Sequence, residues 1–379
     1  MLKKVLLVDD SALMRRVIFD IINSDEKLQA ERYAVNGIEA LDILLSGEKF
    51  DAIVLDINMP KMNGIELLRE LKSKGKNETV LIVSTLAKEG AKETIQALEL
   101  GAFDFVTKPD SLAEAKGPGF GRNLLNMLHV ATNLPPITEP ETPSREEAGS
   151  AIGRQRKTVS REMPSVSQKP LKGDVSKHSK GPLGGGARKL VALACSTGGP
   201  KALQYVVPFL PANLDAAVLI VQHMPEGFTA SLASRLNELS RINVVEAEHG
   251  VSIEKGTVYI AKGGSQMRLI EKGKKEHSLS VTVEAARNGL KPCADIMYES
   301  LMKSSFDEIT CVVMTGMGAD GTKGILQLEQ TNKIYVIAQD EASCTVYGMP
   351  KSIAEAGAVD EVAALKKIAD AITKHVGVR

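Results

Sequence analysis

The chain has 379 residues, 43% of them hydrophobic and 25% charged, with 47 basic and 47 acidic residues and a formal net charge of zero. A neutral balance argues against nucleic acid or an anionic membrane as the main partner, and no apolar run approaches the roughly 20 residues needed to span a bilayer. The four cysteines, Cys195, Cys293, Cys311 and Cys344, have no metal-ligand spacing and fit a reducing, cytoplasmic setting. The N-terminus runs straight into an apolar stretch without a signal-peptide cleavage site.

The length predicts two domains. In the first half, strand patterns at residues 5–8, 30–35, 53–55, 80–83 and 103–106 alternate with helix patterns. Ser11 caps the first helix, which carries Leu13, Met14, Val17, Ile18, Ile21 and Ile22 at helical spacing. Further helices are expected at 37–45, 64–72 and 87–100, with a last one before Pro135. Strands this apolar, separated by helices, predict a parallel sheet covered on both faces.

The chemistry of this half collects at the strand ends. Asp9 and Asp10 follow the first strand, Asp56 the third, Ser84 the fourth, and Lys108 with Pro109 the fifth. Carboxylates crowded on one edge repel one another unless a cation neutralises them, and an oxygen-rich site with room for water suits Mg²⁺. Asp56 can then act as a nucleophile toward phosphate, with Lys108 neutralising the phosphoryl oxygens. Taken singly, each of these residues reads as a cap or a solvated loop charge.

Together they resemble the receiver domains of response regulators, over roughly residues 1–125. The resemblance implies Asp56 as phosphoacceptor, and Asp9, Asp10, Asp56 and the Asn58 carbonyl at Mg²⁺. It also implies Ser84, Phe105 and Lys108 as switch residues, and a cis bond before Pro109.

Periodicity then stops, and residues 126–187 read as a flexible linker rich in Pro, Ser, Gly, Lys and Arg. From 188 to 379 strands and helices resume. An apolar strand ends in Cys195-Ser196-Thr197-Gly198-Gly199-Pro200, a second (216–221) ends in Gln222-His223-Met224-Pro225, and a third (309–315) ends in Gly316-Met317-Gly318-Ala319-Asp320-Gly321. Further expectations are a strand at 257–261, a hairpin pairing 266–270 with 279–283, a helix at 293–302, a strand at 334–338 and a closing helix at 363–375. The fold class is α/β throughout: a doubly wound, flavodoxin-like sheet in front and a second doubly wound parallel sheet behind.

Serine, histidine and aspartate thus each sit just past a separate buried strand, where ligands bind in open α/β sheets. They supply a nucleophile, a general base and an orienting carboxylate. Alone, Ser196 is a cap or a phosphate contact, His223 a cap and Asp320 a turn. A phosphate-binding module remains an alternative, although no P-loop lysine follows, as does a noncatalytic output domain.

The motifs CSTGGP, QHMP, MTGMGADG and Gly348-Met349-Pro350 resemble the catalytic domain of the chemotaxis methylesterases. With the receiver in front, the chain resembles the response-regulator protein-glutamate methylesterases/glutamine deamidases. The resemblance implies Ser196 as nucleophile, His223 as base, Asp320 as orienter, and the Met317 and Thr197 N–H groups as oxyanion donors. It implies methylated chemoreceptors as substrate, a chemotaxis histidine kinase as phosphodonor, and a cytoplasmic enzyme that uses no cofactor for hydrolysis. The chain departs from the family pattern at Cys195, at Gln266 and at Lys291-Pro292-Cys293, and Gln266 and Lys291 are expected beside the substrate cleft.

Overall fold

The computed structural model describes residues 2–109, 111–115, 117–135, 137, 187–273 and 276–378. The first five strands are β1 (Lys3–Val8), β2 (Leu28–Ala34), β3 (Ala52–Asp56), β4 (Val80–Ser84) and β5 (Asp104–Thr107). They form one parallel sheet in the order β2-β1-β3-β4-β5. This is the flavodoxin-like order, whose switch point lies between β1 and β3.

Around the sheet lie α1 (Ala12–Ile22), α2 (Gly37–Leu45), α3 (Gly64–Ser73), α4 (Lys88–Leu100), α5 (Leu112–Ala115) and α6 (Pro118–Ala131). The starts of these helices follow local chemistry. The Ser11 hydroxyl accepts from the Met14 N–H, and Asn63 with Glu66 closes a capping box on α3. Helix α6 continues into the span expected as linker, with Met127 and Leu128 buried, and most of the remainder of that span lies outside the described residues. The Lys108–Pro109 bond is trans, contrary to expectation; the cis bond among the described residues is Lys291–Pro292. Both isomers are accessible to an X-Pro bond, and trans is the lower in energy.

The second half is built on seven parallel strands in the order β14-β13-β12-β6-β7-β9-β8. They are β6 (Lys189–Cys195), β7 (Ala217–Gln222), β8 (Asn243–Glu246), β9 (Thr257–Ile260), β12 (Glu308–Val313), β13 (Ile334–Gln339) and β14 (Glu361–Ala363). An antiparallel pair, β10 (Gln266–Gly273) and β11 (Glu276–Thr282), stands apart as the expected hairpin. The helices are α7 (Gly199–Leu203), α8 (Phe228–Leu239), α9 (Ala294–Ser300), α10 (Thr322–Glu329), α11 (Met349–Glu355) and α12 (Ile368–Val376). Strand β8 and helix α11 carry too little periodicity to stand out in the sequence. The closing helix starts only at Ile368, because residues 361–363 pair with β13 as an edge strand instead.

The two sheets are covered by apolar side chains that run together. Leu68 and Leu71 of α3 and Ile95 and Leu98 of α4 belong to the same buried cluster as Leu203 of α7 and Leu232 and Leu236 of α8. One core therefore crosses from the first half into the second.

Candidate functional site

Strand β6 lies between β7 and β12, so the three strands that carry the motifs are neighbours. Two hydrogen bonds continue the ladder past their ends: Ser196 N–H to Thr315 O at 3.0 Å and His223 N–H to Cys195 O at 3.1 Å. Beyond Ser196 the chain turns through Gly198, whose φ of +75° suits a residue without Cβ. An added Cβ there would meet the Thr345 side chain at 2.4 Å. Ser196 is half-buried in a cleft of about 300 Å³, whose lining includes Thr197, His223, Met317 and Leu290. The structure thus brings Ser196, His223 and Asp320 to one sheet edge, with Thr197 and Met317 on the same cleft.

His223 and Asp320 are directly bonded, Nε2 to Oδ2 at 2.8 Å. The Asp320 carboxylate also accepts from the N–H groups of Ala294 at 2.6 Å and Asp295 at 3.0 Å, and from the Cys293 thiol at 3.1 Å. Burial alone would raise its pKa, but the His223 contact and the two backbone donors outweigh burial and hold it at about 2. An ionised Asp320 fixes the His223 proton on Nε2, which leaves Nδ1 as the basic nitrogen of the neutral ring. In this conformation Ser196 Oγ and His223 are not hydrogen-bonded to each other; such bonds commonly tighten only with substrate.

Gln222 is not marked by the sequence pattern, yet it ties Ser196 to His223. Its buried amide donates to Ser196 O at 3.0 Å and to His223 O at 3.1 Å, while its Oε1 accepts from the Cys195 thiol at 3.0 Å. Cys195 therefore points away from the cleft, and burial pushes its thiol pKa far up. Gln266 is fully buried and bridges Leu290 O and the Cys293 N–H, and Lys291 Nζ donates to Glu284 O. Neither side chain borders the cleft as expected, because both hold the loop that presents Leu290 to it.

In the first domain Asp9, Asp10 and Asp56 each place a carboxylate oxygen within 4.8 Å of the others. Asp9 and Asp56 are buried, and Lys108 Nζ reaches both at 2.8 Å. Burial raises the Asp56 pKa, only partly offset by Lys108 and by the Asn58 N–H. Burial would lower Lys108, but Asp56 and Asp9 together raise it. Three converging carboxylates, one of them on the exposed loop at Asp10, match the oxygen-rich chemistry of a Mg²⁺ site. The Ser84 hydroxyl is engaged away from this cluster, by the Thr94 hydroxyl at 2.8 Å and Gly90 O at 3.3 Å.

The domains meet beside the cleft that Ser196 lines. Helix α4 packs on α8; Arg235 forks onto Glu99 at 2.5 and 3.1 Å; and the Phe105 ring stacks on Phe228 with centroids 4.6 Å apart. Asp104 and Phe105 line the same cleft as Ser196 and His223. Asp104, Gln222, Cys293 and Asp295 all touch the site without having been marked by the sequence pattern as parts of it. The one available signal was the presence of a polar side chain beside or within an apolar strand, at Asp104 and Gln222.

A family model described as CheB methylesterase matches residues 191–372, and one described as Response regulator receiver domain matches residues 5–116. The chain is 38% identical over 373 residues to a protein-glutamate methylesterase/protein-glutamine glutaminase 1 of Syntrophomonas wolfei, covering 98% of each chain. It is 39% identical over 376 residues to the protein-glutamate methylesterase/protein-glutamine glutaminase of Bacillus subtilis, again covering 98% of each. The crystal structure of the Thermotoga maritima CheB methylesterase catalytic domain is 37% identical, covering 50% of this chain and 98% of that one at a TM-score of 0.48.

Proposed function

Starting from the fact that the chain belongs to the protein-glutamate methylesterase/protein-glutamine glutaminase family, with its receiver domain in front, we propose a Ser196-His223-Asp320 acyl-enzyme mechanism gated by that receiver. The chain is a chemotaxis hydrolase; its catalytic residues, its gate and its adaptation role are the further reading. The observation that carries it is the shared cleft, lined at once by Ser196 and His223 from one domain and by Asp104 and Phe105 from the other.

Ser196 Oγ attacks the side-chain carbonyl of a methylated glutamate on a chemoreceptor, and His223 Nδ1 takes the hydroxyl proton. Asp320 holds the ring through Nε2 and stabilises the imidazolium that forms. The Thr197 and Met317 N–H groups, beside the cleft, would donate to the tetrahedral oxyanion. Methanol leaves with the proton from His223. Water, deprotonated by the same nitrogen, then cleaves the glutamyl-enzyme ester and restores Ser196. A glutamine side chain follows the same course with ammonia as the leaving group, and removal of these groups resets receptor sensitivity.

Asp56 receives a phosphoryl group from a histidine kinase. Asp9, Asp10, Asp56 and the Asn58 carbonyl would hold Mg²⁺, which offsets phosphoryl charge when bound. Phosphorylation adds about −1.5 to −2 charges beside Lys108. It draws Ser84 and Phe105 from their present partners, and the receiver leaves the cleft. The setting is cytoplasmic, in keeping with the reduced cysteines; among the described residues no helix is long and apolar enough to cross a membrane.

The test is methanol release from methylated chemoreceptor, with and without acetyl phosphate and Mg²⁺. Wild type should release methanol faster with the phosphodonor, and Ser196→Ala should release almost none. Equal release by Ser196→Ala would overturn the triad, and equal release with and without phosphodonor would overturn the gate.

A further inference from the structure

Helices α9 and α10 pack side by side, and the loop that carries Asp320 leads directly into α10. Two residues at their N-terminal ends are bonded reciprocally. Asp320, ahead of α10, accepts from the Ala294 and Asp295 N–H groups in the first turn of α9. Asp295, in that turn of α9, accepts through Oδ1 from the Gly321 N–H at 3.0 Å and the Gly324 N–H at 2.7 Å at the start of α10. Each carboxylate satisfies backbone donors that the other helix leaves without an intrahelical partner.

The glycines of this stretch are the ones the clasp requires. A Cβ on Gly324 would lie 2.8 Å from Tyr298 Cβ and 2.9 Å from both the Asp295 Cα and O, so only glycine lets the helices approach this closely. Gly321 has φ +96°, which turns the chain from Asp320 into α10. Asp295 is 5% exposed, so its bonds are not shared with bulk water. It does not line the cleft, and among the described residues its hydrogen bond to the triad is the one to Asp320.

We infer that Asp295 is a positioning residue for the hydrolysis, holding the Gly321 and Gly324 N–H groups so that the Asp320 carboxylate stays in register with His223 Nε2. The inference rests on the triad reading above. Without the Asp295 acceptor the two N–H groups at the root of the Asp320 loop lose their partner, and the loop relaxes to find another. Displacements of about 1 Å in a catalytic constellation cost on the order of a hundredfold in rate. The displaced group orients the base and does not touch substrate, so kcat falls and KM does not.

The experiment uses full-length protein activated with acetyl phosphate, with kcat and KM for methanol release from methylated receptor. Asp295→Ala should lower kcat about ten- to a hundredfold with KM within about twofold. Asp295→Asn, which keeps an acceptor oxygen at the same place, should recover most of that loss. Because Asp295 acts through Asp320, Asp295→Ala should cost little further in an Asp320→Asn background. Wild-type kcat in Asp295→Ala, or losses that simply multiply in the double variant, would overturn the inference. If Asp295→Ala does not fold, Asp295→Glu moves the acceptor by one methylene; lowered kcat supports the positioning role and wild-type kcat refutes it. Full activity of Ser196→Ala would instead mean that the triad reading itself has failed.

Discussion

The carboxylate of Asp104 in the receiver accepts a hydrogen bond from the backbone N–H of Gly198 at 3.1 Å, in the turn that carries Ser196. A side chain of the receiver is thereby fastened to the turn that carries Ser196. Burial pushes the Asp104 carboxyl up to about 7, against the lowering effect of the Phe105 and Gly198 N–H groups. If separating the domains exposes this side chain, the group returns toward the ordinary carboxylate range. On the proposed gate, the docked form would then hold a proton that the open form releases. This contribution to docking is complete below about pH 4 and disappears as pH rises through about 7. Basal methanol release by the unphosphorylated protein, divided at each pH by that of Asp104→Asn, should rise about tenfold or more from about pH 5 to pH 8. A flat ratio would separate Asp104 from docking.

The other two interdomain contacts should differ in weight. Arg235 and Glu99 form a partly exposed ion pair, of the kind worth about 0.2–1 kcal/mol. Arg235→Ala should raise basal release only about 1.5- to 5-fold, and less at high salt. The Phe105–Phe228 stack buries ring surface, so Phe105→Ala should raise it about tenfold or more, with little salt dependence. Both are read without phosphodonor.

Adjacent Cys195 and Ser196 invite a direct test of the nucleophile. Ser196→Ala should lose on the order of a millionfold in kcat, down to the assay background. Cys195→Ala should stay within about tenfold, losing only the thiol's bond to Gln222. Thiol-directed reagents should leave Cys195 unmodified in the folded protein, since it is fully buried and its pKa is raised.

Lys108 is the cation between two buried carboxylates, Asp9 and Asp56. Lys108→Met should lower stability by about 3 kcal/mol at neutral pH, because those carboxylates then face each other without compensation. Added Mg²⁺ should restore more stability to this variant than it adds to wild type. Chemical denaturation with and without the ion measures both effects.

Much of this organisation is visible in the sequence, because strand ends are local. Ser196, His223 and Asp320 each follow an apolar run, and parallel-sheet topology carries those ends to one edge. Asp9 and Asp56 are legible for the same reason. Asp104 is not, since its partner Gly198 lies 94 positions away in another domain. Gln222 reads as one more polar residue at a strand end, and Asp295 as an ordinary first-turn acid. Their roles depend on which backbone donors face them, which periodicity does not encode. Gln266 shows the converse: a polar residue in a family motif, beside the cleft in sequence terms, but buried as a brace beneath it.

The apolar cluster that runs from α3 and α4 into α7 and α8 has a thermal consequence. If the proposed gate opens by separating these helices, it uncovers hydrocarbon surface, and the closed state carries a heat-capacity difference as well as a free energy. Hydrophobic association weakens on cooling. The receiver should therefore hold the cleft less firmly in the cold, and the unphosphorylated enzyme should lose part of its repression there. Calorimetry should find the two halves melting together while docked and separately once Asp56 carries its phosphoryl group. On the proposed gate, temperature would become an input to resting activity, entering through packing alone.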